Sequence, residues 1–273
     1  MAISEEYLLG RTSDEYQRLE RQALLWQPLA IRMLKETGIK EGMKCLDVGC
    51  GTGSVMRLMG AMVGRKGSVT GIDINEKIGN ESLNILRAIG DCQYYFEAKD
   101  ITKPGAFEPE AYDFIYTRFV LLHQTDPASV IRNLFAALKP GGMLLVQDYD
   151  IISVKSNDKT KEITEHIRFL LKEVFTRTGK DPEVGMHLSS YFIKAGVGLP
   201  DGTDVSSIVT PAPLFMAMIK AVAFSMKAGI IALQLSTAEE FDDYIQKTDE
   251  KATELQNYYY TWPLVHSAWK CKN

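Results

Sequence analysis

Three glycines and an acid carry the first chemical signal. In Cys45-Leu-Asp-Val-Gly-Cys-Gly-Thr-Gly53 a short apolar run enters a turn with glycine at every second position. Gly49 and Gly51 let the backbone bend tightly and bring its N–H groups close to a ligand. Asp73 lies about 20 residues further on, closing the run Ser68-Val-Thr-Gly-Ile-Asp73, where an acid accepts from ribose hydroxyls. This pairing points to a nucleoside-bearing ligand. Asp47, Asp100, Arg118 and Tyr149 recur at or just beyond the ends of further strand-like runs. His123 and Tyr149 are the candidate proton-handling groups. Asp148 and Asp150 flank Tyr149 on one side of a strand and invite a shared ion. Mg²⁺ wants near-octahedral oxygen ligands, and no further ones can be placed, so no metal is expected.

These residues need elements to hold them. From Lys44 to Asp150 strands and helices alternate: strands at 45–48, 68–73, 93–98, 112–116 and 143–149, with helices to about Val63, over Glu76–Ile89 and over Ala128–Leu138. Asp126 is the expected cap of the last helix and Pro127 its first turn. Such alternation predicts an α/β fold with a doubly wound, mostly parallel sheet, whose ligands lie outside the carboxyl ends of the strands. Residues 7–37 read as helical with a break at Pro28. Beyond Asp150 the pattern predicts a helix over 158–178, another from Asp181-Pro182 to about Gly196, and a strand at 204–209. Helices from about Pro213 to Leu235 and Ala238 to Asn257 follow, the second with capping-box spacing at Ser236 and Glu239. An aromatic, β-branched segment from Tyr258 to Trp269 predicts a last strand. We expect one domain over 1–273: a helical lid (1–40), a ligand-binding core (41–150), and a C-terminal half with a helical insertion at about 211–257.

Composition narrows the partners. The chain has 273 residues, 45% of them hydrophobic, so a full core forms without metals or disulfides. A net charge of −4 with no cluster of Lys and Arg gives nucleic acid no basic stripe. Cysteines at 45, 50, 92 and 271 show neither CxxC nor zinc spacing, which predicts thiols in a reducing compartment, the cytoplasm. No basic and apolar leader precedes the first helix. Lys220 and Lys227 interrupt the longest apolar stretch, at about 2.5–3.5 kcal/mol each near a bilayer centre, so a buried or pocket-lining helix is expected rather than a membrane span.

With these pieces placed, the chain resembles the class I S-adenosylmethionine-dependent methyltransferases, closest in flavour to the small-molecule enzymes of quinone and natural-product biosynthesis. The resemblance rests on Leu46-Asp-Val-Gly-Cys-Gly-Thr-Gly53, Gly71-Ile-Asp73, Ala98-Lys-Asp-Ile101, Tyr112-Asp113 with Leu121-Leu-His123, and Leu138-Lys-Pro-Gly-Gly142, and covers roughly residues 40–150. It implies a seven-stranded Rossmann-like fold and S-adenosyl-L-methionine as cofactor. By the same resemblance Gly49 and Gly51 pass the methionine part, Asp73 holds the ribose and Ile74 packs on adenine. Asp100 and Ile101 meet the adenine edge, Thr117 and Arg118 face the methionyl moiety, Asp47 shapes the pocket, and Tyr7 covers the sulfonium or carboxylate. Dehydrogenases also bind through a glycine turn, but with GxGxxG spacing where this chain has GxGxG. An NAD(P)-dependent oxidoreductase and a binding module without turnover stay open as alternatives. No Asn-Pro-Pro-Tyr-type tetrapeptide suggests amide or base N-methylation, and no thiol trio suggests a metalloid. The apolar 211–257 insertion (Leu214, Phe215, Met216, Met218, Phe224) points to a small apolar or aromatic methyl acceptor, with core or a homodimer interface as its other uses.

Overall fold

The computed structural model describes residues 13–103, 105–154 and 159–273, with side chains of the first helix from Arg18 onward. Helix α1 (Ser13–Glu36) precedes β1 (Lys44–Val48), α2 (Ser54–Val63), β2 (Ser68–Asp73), α3 (Glu76–Ile89), β3 (Gln93–Ala98) and β4 (Tyr112–Arg118). Then come α4 (Pro127–Ala137), β5 (Leu138–Asp150), α5 (Lys161–Arg177), α6 (Leu188–Lys194), β6 (Gly202–Ser206) and β7 (Val209–Pro211). Helices α7 (Ala212–Ala232) and α8 (Ala238–Glu254) separate these from β8 (Tyr259–Thr261) and β9 (Leu264–Cys271).

Seven strands form one sheet in the order β3-β2-β1-β4-β5-β9-β6. The first five pair in parallel and β9 runs antiparallel to both neighbours. Parallel strands buried on both faces need near-continuous apolar sequence, and β1 and β4 supply it: Cys45, Leu46, Val48, Phe114, Ile115 and Tyr116 are buried. The expected doubly wound, mostly parallel sheet is therefore the observed one. Local signals set the helix starts in this half. Asn75 accepts from Ile78 N at 3.2 Å and Asp126 from Ser129 N at 3.1 Å, each satisfying an orphan amide of the first turn.

Several boundaries differ from expectation. Helix α1 runs unbroken through Pro28. The carbonyl deprived of its amide belongs to Leu24, on the exposed side, while Trp26, Ala30, Met33 and Leu34 anchor the other face in the core. Strand β5 starts at Leu138 rather than 143, because Leu138 already pairs with Tyr112 before a register shift. The helix expected from Asp181 is reduced to α6. Asp181 accepts from Glu183 N and the Tyr191 hydroxyl, and Gly185 N donates to Tyr149 O at 2.9 Å, so this backbone ties down the end of β5. The strand expected at 204–209 and the one expected from Tyr258 each split in two; β7 and β8 form a separate ribbon. Pro263, which has no N–H for a ladder, sits at the second split. The capping box of α8 lies one residue later than expected: Thr237 Oγ1 accepts from Glu240 N at 3.2 Å and Glu240 Oε2 from Thr237 N at 2.8 Å.

Helix α7 is long and apolar enough to cross a membrane by length and composition. In the fold it packs against α1, α5 and α8. Lys220 and Lys227 reach Asp249 and Asp242 of α8 at 2.6 and 2.7 Å, which keeps both ammonium groups paired.

Candidate functional site

The carboxyl ends of β1, β2, β4 and β5 open into one cavity of about 810 Å³, closed on the far side by α1, α5 and α7. The glycine turn forms its floor, and its first two glycines do different things. At Gly49 (φ +71°) a Cβ would come 2.2 Å from Val120 Cγ2, so the missing side chain lets the chain beyond β4 close in. At Gly51 (φ +48°) a Cβ would meet nothing within 4 Å. There the missing side chain keeps the cavity open, which is the space an extended ligand needs.

Asp73 welds the turn to the next strand end. Its Oδ2 accepts from Gly51 N and its Oδ1 from Asn75 N, both at 2.9 Å. The Gly51 amide is thus engaged by protein and does not reach for a ligand, contrary to the expectation for this glycine. Asp73 itself lines the cavity, and each carboxylate oxygen keeps lone-pair capacity beyond one amide. Beside it Ile74 is 54% exposed, an apolar side chain held out over the cavity mouth. Asp100 Oδ1 accepts from Thr102 N (2.9 Å) and Thr102 Oγ1 (2.6 Å). The Thr102 hydroxyl foremost holds this carboxyl below its ordinary value. Ile101 lines the cavity beside it.

Deeper in, Asp47 is buried and its Oδ2 has no hydrogen-bond partner among the described residues. Burial pushes its carboxyl up to about 7 even though Arg118 pulls the other way. Arg118 Nη1 is likewise buried without a partner, with its guanidinium 5.5 Å from the Phe119 ring centroid. A buried acid and a half-buried guanidinium, each with a buried polar atom unmatched among the described residues, line the same cavity. Such groups are costly unless something completes them, and a zwitterionic amino-acid moiety carries both complements. An adenosyl amino acid therefore fits the residues present.

Thr117 does not share this surface: it is 1% exposed and lies beneath the cavity wall, which Arg118, Phe119 and Val120 form instead. Alternation along β4 turns residue 117 away from its lining neighbour. Tyr7 lies outside the described residues.

His123 ends the short turn Leu121–His123 and lines the cavity. Burial first, then the charges of Lys180 and Arg18, push its imidazole down to about 3, so the ring is neutral. Tyr149, 9% exposed, stacks on Phe119 with centroids 4.0 Å apart and planes at 8°. Burial raises its phenol well above the ordinary value, so it stays protonated. Neither group is placed to act as a strong base, the role for which the sequence singled them out. Asp148, read as a possible ion ligand, instead accepts from Leu121 N (2.8 Å), Leu122 N (3.2 Å) and Tyr149 N (3.0 Å), fixing the turn that carries His123. Asp150 caps Ile152 N and Ser153 N.

Sequence reasoning counted Arg18 and Gln22 only as polar residues of the expected lid (1–40) and missed Trp26. Arg18 and Gln22 line the cavity; Gln22 Nε2 donates to Tyr149 Oη at 3.0 Å, and Trp26 sets its edge against both Tyr149 and Phe119. Their spacing, i, i+4, i+8 on one helix, was the available signal. Beyond them the cavity turns apolar, with Leu171, Phe175, Phe215, Met218, Ile219 and Met226 from α5 and α7.

Comparison with known proteins agrees with this geometry. The family described as "Methyltransferase domain" matches residues 39–188. The ubiquinone/menaquinone biosynthesis C-methyltransferase UbiE of Shewanella sediminis is 30% identical over 187 residues, 62% of this chain and 72% of that protein. UbiE of Cronobacter sakazakii matches over about half its own length, 49%. Phosphoethanolamine N-methyltransferase 1 of Triticum aestivum is 41% identical over 112 residues, 41% of this chain and 22% of that one. Among solved structures, phosphoethanolamine N-methyltransferase 2 of Haemonchus contortus, in complex with phosphomonomethylethanolamine and S-adenosylhomocysteine, superposes with a TM-score of 0.59. It is 18% identical, covering 98% of this chain and 60% of that one, and shares the fold.

Proposed function

Because the chain belongs to the class I S-adenosylmethionine-dependent methyltransferase family, we propose that it methylates a small apolar or aromatic molecule held between α1, α5 and α7. The observation that carries this reading is one continuous cavity joining the acid-lined turns of β1, β2 and β3 to an apolar chamber. Asp73 accepts from the ribose hydroxyls, Ile74 and Ile101 flank the adenine, and Asp100 meets its amino edge. Gly49 and Gly51 form the floor under the methionyl chain. Asp47 takes the ammonium and Arg118 the carboxylate, each completing a group that is otherwise unmatched. When bound, the cofactor supplies an electrophilic methyl on sulfonium, and the protein orients the acceptor and excludes water.

A neutral His123 with so low a pKa is too weak a base to take a proton from an ordinary phenol. It serves as a hydrogen-bond partner, and an acceptor that must lose a proton arrives already acidic or loses it to water. The chain works as a single domain in which residues 1–40 are the lid over a 41–150 core, with 151–273 supplying the acceptor wall. Its four free thiols suit the cytoplasm, and Phe224 and Ile231, exposed on α7, suit a homodimer, which light scattering would reveal. Its partner is a free small molecule, neither nucleic acid nor membrane, in keeping with the net charge of −4. Calorimetry tests the core of this reading. We expect micromolar binding of S-adenosylhomocysteine and none of NAD; the reverse would overturn it. Methyl transfer from labelled cofactor to a panel of phenols, quinols and amines identifies the acceptor class.

A further inference from the structure

The hydrogen bonds around Tyr149 all run one way. Arg18 Nη1 donates to Gln22 Oε1 at 2.9 Å. An arginine cannot accept, so this bond fixes which end of the Gln22 amide faces α1's guanidinium and which faces Tyr149. Gln22 Nε2 accordingly donates to Tyr149 Oη at 3.0 Å. Trp26 packs its ring edge-on against the Tyr149 ring, centroids 5.7 Å apart, and its Nε1–H is buried with no hydrogen-bond partner among the described residues, so it supplies no acceptor there. Among the described residues, the one hydrogen bond at that oxygen is the one it accepts from Gln22. A phenol oxygen that accepts from Gln22 still has its own proton to place, and no acceptor among the described residues takes it. Tyr149 is more than nine-tenths buried and lines the cavity where the polar wall meets the apolar chamber. Stacking on Phe119, whose backbone is held at φ +59°, and the edge of Trp26 leave the ring little freedom to turn the hydroxyl elsewhere.

We propose that the Tyr149 hydroxyl is the hydrogen-bond donor that orients the methyl acceptor, so that the acceptor is an apolar molecule bearing a carbonyl-type or phenolic oxygen, with Gln22 as the positioning residue. This rests on the methyltransferase reading of the same cavity. An unmet donor in an otherwise apolar chamber selects for the ligand that satisfies it and against the isostere that leaves it unpaired.

Two probes of one shape test this. In protein preloaded with S-adenosylhomocysteine, 2-acetylnaphthalene should bind about three- to tenfold more tightly than 2-ethylnaphthalene, the range of one net hydrogen bond. Tyr149→Phe should bring that ratio close to one. Gln22→Leu, which frees the hydroxyl to rotate, should lower the ratio while the thermal midpoint of the Gln22→Leu protein stays near the native one. A structural role alone would change both affinities together and leave the ratio intact. Equal binding of the two probes by the native protein, or a ratio that survives in Tyr149→Phe, overturns the proposal; so does a failure of both probes to bind. A drop in S-adenosylhomocysteine affinity for Tyr149→Phe would assign the hydroxyl to the cofactor carboxylate and overturn it as well. If the native protein fails to bind S-adenosylhomocysteine at all, the methyltransferase reading falls separately.

Discussion

The cavity has two walls built on opposite principles. One is made of strand ends: Asp47, Asp73 and Asp100 each sit at or near the carboxyl end of a parallel strand, and turn amides fix Asp73 and Asp100 there. The other is made of helix faces: Phe175 from α5 and Phe215, Met218 and Met226 from α7 meet across it without a polar bond between them. Turn geometry is local and tolerates little change in residue type, whereas apolar packing tolerates substitution if volume is kept. One fixed wall and one adaptable wall suit a constant cofactor facing an acceptor that differs between relatives.

Substitution at Asp73 should separate the walls most sharply. Asp73→Ala removes two charge-assisted bonds to Gly51 and Asn75 together with the proposed ribose contact, each worth about 1.5–3 kcal/mol. Calorimetry should show S-adenosylhomocysteine affinity falling by about 10²–10³-fold. Retained affinity would mean that the glycine turn is held by something other than this carboxylate. On the opposite wall, Met226→Ala empties part of a buried side chain that already faces the cavity. Its cost should sit at the low end of the range for large-to-small changes, about 2–3 kcal/mol in denaturant unfolding. S-adenosylhomocysteine affinity should stay within about twofold, once measured well below the unfolding midpoint. A large change there would show that the walls are coupled.

The same division explains what could be read from the chain. The strand-end wall is encoded locally: a glycine turn, an acid at the end of a short apolar run, and Asp126 before Pro127 all act on neighbours a few residues away. Their positions emerged nearly as expected. The helix wall depends on which distant faces meet. Pro28 looked like a stop because its propensity is local, yet Trp26 and Met33 hold α1 straight from outside. Tyr149 read as a base because its type allows it; only the fold supplies Gln22, 127 residues away, and the burial that keeps it protonated. Asp148 invites an ion only by its spacing from Asp150, and the sequence leads to no expected metal; what only the fold supplies is the Leu121–His123 turn that buries it and donates to it.

Proton linkage sharpens the contrast further. The Asp47 carboxyl, raised to about 7 by burial, compares with about 3.9 in an unfolded chain. Between about pH 4 and 7 the native state therefore keeps a proton that the unfolded chain releases, so this group's contribution to stability falls as pH rises through that window. Asp148, also raised to about 7, contributes in the same direction. An ammonium beside Asp47 requires the carboxylate, so ligand affinity should run the opposite way. We expect S-adenosylhomocysteine to bind about tenfold more weakly at pH 6 than at pH 8. Asp47→Asn should bind weakly with a flat profile, and Asp148→Asn should keep the native slope. A native-like slope in Asp47→Asn would remove this residue from the ammonium site.

The smallest effect lies farthest from the cavity, at the start of α8. Thr237 and Glu240 exchange side-chain and backbone bonds there, while Ser236 Oγ donates to the Thr237 carbonyl at 3.1 Å. Because α8 packs on α7, its capping residue supports the apolar wall and leaves the strand-end wall untouched. Thr237→Ala should cost about 1 kcal/mol of stability, and Ser236→Ala less than about 0.5 kcal/mol. Neither should alter S-adenosylhomocysteine affinity. Equal costs at the two positions would return the cap to Ser236 and Glu239, the register expected from the sequence. An affinity change from Thr237→Ala would instead show that the insertion reaches the strand ends through α7, and that the two walls move as one.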